Sequence, residues 1–81
     1  MSEEDLTIRK LAEKIASDFA LSVRERTDRI LELDAIQYQN LGINSTKAEK
    51  IKVKSDSKYL YKQIRSFNEY DGKLLLNHLD A

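Results

Sequence analysis

An all-α fold is what the sequence predicts, and three observations predict it. The 81 residues contain no proline and two glycines, while 35% are charged and 41% hydrophobic, a composition suited to long exposed helices. Apolar side chains recur near a 3.6-residue period over much of the chain. The clearest punctuation, Asn40-Leu41-Gly42-Ile43-Asn44-Ser45-Thr46, is a short loop between two such stretches. The expected architecture is an antiparallel helical hairpin of coiled-coil character, with a long first helix, a basic amphipathic second helix and a short C-terminal helix. The chain is one small domain, 1–81.

The first helix is expected over about 4–39. Ser2 supplies a capping hydroxyl, and Glu3, Glu4 and Asp5 are anions favoured at a helix N-terminus. Ile8, Leu11, Ile15, Phe19, Val23, Ile30, Leu33 and Ile36 then form one apolar stripe, with Ala12 and Ala16 on its shoulder. The stripe weakens where its phase falls on Arg26. Ser22-Val23-Arg24-Glu25 has the form of a capping box and marks an alternative start for a separate helix, but no glycine or proline enforces a stop, so one continuous helix is the expectation. Arg24 with Asp28, Glu25 with Arg29, and Arg29 with Glu32 stand three or four residues apart as a solvated charged face.

The turn is expected at 40–45, with Gly42 taking the left-handed conformation that closes a helix and Ile43 folding back against it. Thr46 and Glu49 form a second capping box, and the second helix follows over about 46–69. Lys50-Ile51-Lys52-Val53-Lys54 also alternates with period two, so a small β-hairpin over 50–61 is the competing assignment. A lone hairpin is barely stable, which favours the helix. Tyr70-Asp71-Gly72 reads as an interruption before a short helix over about 73–79, whose Leu74, Leu75, Leu76 and Leu79 must pack on something.

Drawn as a helix, 46–67 separates into two faces. Lys47, Lys50, Lys54, Lys58, Lys62 and Arg65 follow one another at spacings of three or four and make a cationic ridge. Val53, Ser57, Leu60, Ile64 and Phe67 make the apolar stripe behind it. Net charge is zero, yet residues 1–34 carry nine acids and six bases, residues 35–65 two acids and seven bases, and residues 66–81 three acids and one base. A basic block lies between two acidic ones, which favours either internal pairing or an anionic partner. Internal pairing would set Lys54, Lys58 and Lys62 level with Glu32, Asp28 and Glu25 across the hairpin.

Chemistry-bearing patterns are sparse. Cysteine is absent, which removes disulfides and thiolate zinc sites together. The single histidine, His78, lies beside Asn77 and Leu79, with no third group to orient it as a base, and is expected at an exposed helix C-terminus. Gly42 and Gly72 stand too far apart to build a phosphate-cradling loop. Asp28 and Glu32, one turn apart beside Arg24 and Arg29, read as surface carboxylates rather than cation ligands. No catalytic residue, cofactor, metal or small-molecule substrate is expected. The longest strongly apolar run is 74–76, too short to span a bilayer, and the N-terminus has no signal-peptide core, so a cytoplasmic location is expected.

The expected function is that of a non-catalytic protein–protein interaction module, a small adaptor, chaperone-like or assembly factor that self-associates as a homo-oligomer or joins a protein partner. Lys47, Lys50, Lys54, Lys58, Lys62, Arg65 and Tyr61 are the expected partner-binding residues. Ile15, Phe19, Ile30, Leu33, Leu60, Ile64, Phe67 and Leu75 are the expected core or interface. The alternative is a nucleic-acid-binding protein that uses the ridge for backbone contacts, with Tyr61 and Tyr59 as stacking groups.

Thr7-Ile8-Arg9-Lys10-Leu11-Ala12-Glu13-Lys14-Ile15, followed by Ser22-Val23-Arg24-Glu25-Arg26-Thr27-Asp28-Arg29-Ile30-Leu31-Glu32-Leu33, resembles the two helices of a helix-turn-helix DNA-binding domain. The resemblance implies a recognition helix rich in Ser, Arg and Thr. The connection, 16–21, is several residues longer than that family's turn and has no glycine, and Glu25, Asp28 and Glu32 would repel phosphates.

Overall fold

The computed structural model describes the backbone of residues 3–80 and the side chains of residues 8–79. Four helices follow one another: α1 (Glu3–Ala16), α2 (Val23–Gln39), α3 (Lys47–Phe67) and α4 (Glu69–Asp80). The only regular elements among the described residues are helices, so 50–61 lies inside α3, as the helical assignment expected, and the competing β-hairpin does not form. The expected cap Ser2 lies outside the described residues.

The expected long first helix is two helices. α1 ends at Ala16 because local polar groups capture its last carbonyls. Both the backbone N–H and the hydroxyl of Ser17 donate to the Glu13 carbonyl, at 3.1 and 2.8 Å, and Asp18 N–H donates to the Ile15 carbonyl at 3.1 Å. Asp18 Oδ1 then accepts from Ala20 N–H at 3.1 Å, fixing the turn. Ser22 restarts the helix with both halves of a capping box: its hydroxyl accepts from Glu25 N–H at 3.1 Å, and Glu25 Oε1 accepts from Ser22 N–H at 3.3 Å.

α2 closes at Asn40, whose N–H reaches the Ile36 carbonyl at 3.1 Å. Gly42 takes no left-handed conformation, and Ile43 does not fold back; it is fully exposed. Instead, both the N–H and the hydroxyl of Ser45 donate to the Gly42 carbonyl, at 3.1 and 2.7 Å. Thr46 caps α3 by accepting from Glu49 N–H at 3.1 Å.

The last interruption falls at Asn68, not at Asp71-Gly72. Asn68 leaves helical geometry at φ −143° and ψ 80°, and its side chain bonds Asp71 Oδ2 at 3.0 Å and Thr27 Oγ1 at 3.3 Å. Gly72 is buried inside α4. A Cβ there would stand 2.4 Å from Arg65 Cα, so hydrogen is the only substituent that lets α4 press on α3.

Ala12, Ile30, Leu60 and Ile64 form the buried core, one residue from α1, one from α2 and two from α3. Ile8, Ile15, Leu31, Leu33, Phe67 and Leu75 pack around it. α1, α2 and α3 contact one another, whereas α4 packs against α3. Among the described residues no helix is long and apolar enough to cross a membrane.

Candidate binding face of α3

Two buried carboxylates hold α3 in place. Asp34 of α2 is 7% exposed and accepts from the Ser57 hydroxyl, from Tyr61 Oη at 2.5 Å and from Gln37 Nε2 at 3.5 Å. The Ser57 and Tyr38 hydroxyls lie 3.3 Å apart, extending the network towards the surface. Asp56 of α3, also buried, pairs with Arg9 of α1 at 2.9 Å. The Tyr59 hydroxyl donates to the Glu13 carboxylate, and the Arg9 guanidinium lies over its ring at 4.7 Å. Charged and polar groups at these helix contacts therefore have partners, as burial requires.

These bonds decide the state of both tyrosines. Burial, followed by the hydrogen bond to Asp34, pushes the Tyr61 hydroxyl pKa well above its ordinary value. The hydrogen bond to Glu13 is the main cause that raises Tyr59. Tyr61 is thus half-buried and engaged with α2, which corrects its expected place on the partner-binding ridge, and the Tyr59 ring is half-buried with Arg9 over one face.

Lys47, Lys50, Lys54, Lys58, Lys62 and Arg65 are all exposed, along about 27 Å of α3. Among the described residues none of the six enters an ion pair. The expected pairs of Lys54, Lys58 and Lys62 with Glu32, Asp28 and Glu25 do not form. Asp28 pairs with Arg24 at 3.7 Å, and Glu25 is spent on its capping box. Ile51 lies on the same face, four residues after Lys47 and three before Lys54, and is 59% exposed. The face is an aliphatic side chain set among cations.

The other expected residues divide as follows. Ile30, Leu60 and Ile64 are buried, and Ile15, Leu33, Phe67 and Leu75 are half-buried around them. Phe19 lies outside the core, 85% exposed, because the chain leaves helical phase at Ser17 and the stripe no longer carries it inward. Arg26 takes a buried position instead. Its guanidinium lies over the rings of Phe67 and Phe19 at 4.8 and 5.3 Å, and Nη1 donates to the Ala16 carbonyl at 3.1 Å, capping α1. Its Nε is buried without a hydrogen-bond partner.

Arg26 and Thr27 are buried and Ser22 is a cap, so three residues that would read bases in a helix-turn-helix domain are turned to the fold. His78 is exposed in the last turn of α4. Sequence reasoning missed Asp34, Gln37, Asp56 and Ile51. Asp34 carried a usable signal, since it follows Ile30 by four residues and shares its buried phase. No family model, curated protein or solved structure matches the chain.

Proposed function

We propose that the chain is a cytoplasmic, non-catalytic binding module that offers the cationic face of α3 to an acidic surface of a protein partner. The observation that carries this reading is Ile51, exposed among Lys47, Lys50, Lys54 and Lys58, which enter no ion pair among the described residues. A phosphate backbone has no apolar surface on which to bury an isoleucine, whereas a helix or groove of a protein does. The Tyr59 and Tyr61 hydroxyls donate to Glu13 and Asp34, which ties both rings to the fold rather than leaving them free to turn towards a single strand. The cations set approach and orientation, and Ile51 supplies the buried anchor.

Fluorescence anisotropy with two labelled probes tests this: an acidic amphipathic helical peptide with leucines on its glutamate face, and a mixed-sequence DNA duplex. The peptide is expected to bind more tightly. Ile51→Ser should weaken it about tenfold, the equivalent of about 1.4 kcal/mol. The triple variant Lys54→Glu, Lys58→Glu, Lys62→Glu should abolish it. Tighter binding of the duplex, indifferent to Ile51→Ser, would contradict the reading in favour of phosphate recognition.

A further inference from the structure

A cleft of about 160 Å³ lies where the end of α2 meets the first turns of α3, with Ile8 of α1 on a third side. Gln37, Asn40 and Leu41 line it from the α2 end, and Val53 and Asp56 from α3. A buried apolar cavity of about 150 Å³ takes a benzene ring, so this cleft has room for one six-membered ring.

Gln37 is 5% exposed, and its neighbour decides how its amide points. The Asp34 carboxylate, which also accepts from Ser57 and Tyr61, takes Gln37 Nε2 at 3.5 Å. A carboxylate receives the nitrogen end of an amide, so Oε1 is turned away from Asp34. Among the described residues nothing donates to that oxygen. Arg26 Nε is the only fully enclosed side-chain atom without a partner among them, so Gln37 Oε1 keeps an opening, and the cleft is the opening that Gln37 lines. An acceptor held this deep without a donor is costly, and an N–H brought by a ligand would satisfy it.

The charges around the cleft balance. Asp56 is paired with Arg9 at 2.9 Å, and Glu49 and Lys52 bring opposite signs to the α3 wall. That balance favours a neutral ligand. Asn40, exposed at the end of α2, has an amide that can donate to a ligand carbonyl, while Ile8, Leu41 and Val53 supply apolar wall. We infer that this cleft binds a small neutral cyclic amide or imide of pyrimidine size, its ring N–H donating to Gln37 Oε1 and its carbonyl accepting from Asn40. None of the six cations of α3, nor Ile51, lines the cleft, so this site is separate from the face offered to a protein partner.

An NMR titration of the isotope-labelled full chain with uracil tests the inference, with circular dichroism as the check on folding. Uracil should give saturable shifts centred on the Gln37 side-chain amide and on the backbone amides of Leu41 and Val53. N,N′-Dimethyluracil keeps the ring and both carbonyls but has no N–H, and should bind about tenfold more weakly or worse. Benzoate, similar in size but anionic, should not bind. Gln37→Met keeps the length of the side chain without its amide and should weaken uracil by about tenfold as well. The comparison of the two uracils uses the wild type alone, so it decides the matter even if Gln37→Met disturbs the contact with Asp34. No saturable shift, equal affinity for the two uracils, or shifts centred away from Gln37 would each overturn the inference. Hexauridylate carries the same ring on a nucleic-acid strand and should bind no more tightly per ring than uracil; a large gain would overturn the assignment to a small molecule. Ile51→Ser and the triple lysine variant should leave uracil binding unchanged, which keeps this test apart from that of the α3 face.

Discussion

Tyr61 links the core to its chemistry, because its ring packs against the buried core cluster while its hydroxyl donates to Asp34. Tyr61→Phe keeps the ring and removes the bond, and should cost about 1–2 kcal/mol in urea unfolding near neutral pH. The pH dependence follows from the raised hydroxyl. Tyrosine in the unfolded chain titrates near pH 10, whereas in the fold it holds its proton to higher pH. The stabilisation is complete below about pH 10 and is lost as pH rises above it, so the wild type should weaken more steeply there than Tyr61→Phe. Gly72→Ala sets a Cβ 2.4 Å from the Arg65 backbone, and the helices must separate to admit it. A loss of about 1–3 kcal/mol is expected, despite alanine's better helix propensity. The same substitution at Gly42, where the nearest atom is 4.0 Å away, meets no such obstacle. Sequence alone offered both glycines as chain breakers; that one of them is a contact point depends on which helix turns back to meet it.

Among the elements, the second start at Ser22 was legible because a capping box is local: two residues, three apart, fix four backbone and side-chain groups. The stop at Ala16 was not. Neither proline nor glycine marks it, and it rests on Ser17 and Asp18 competing for carbonyls and on Arg26, ten residues later, reaching back to the Ala16 carbonyl. Arg26 occupied an apolar phase in the sequence, and its long stem with two aromatic faces makes that phase habitable. Ser22→Ala removes one half of the box and frees the Glu25 N–H, and should lower stability by about 1 kcal/mol, read from the midpoint of thermal unfolding. The break at Asn68 was equally hidden, since an asparagine signals a turn only when Thr27 and Asp71 stand within reach of its amide.

For the whole molecule, all-helical content and the core positions Ile30, Leu60 and Ile64 followed from apolar period, which depends on neighbours along one helix. The seam between helices did not, because charge counting paired lysines with acids, whereas the fold spends buried Asp34 and Asp56 on Ser57, Tyr61 and Arg9. The consequence is a cationic face on α3 whose six cations enter no ion pair among the described residues. Urea unfolding of the wild type and of the triple variant Lys54→Glu, Lys58→Glu, Lys62→Glu, at low and at high salt, tests this most directly. Exposed, unpaired lysines should leave the free energy of unfolding within about 1 kcal/mol at both salts. A loss of several kcal/mol at low salt that added salt restores would show that these lysines hold the fold together, and would leave no free face for a partner.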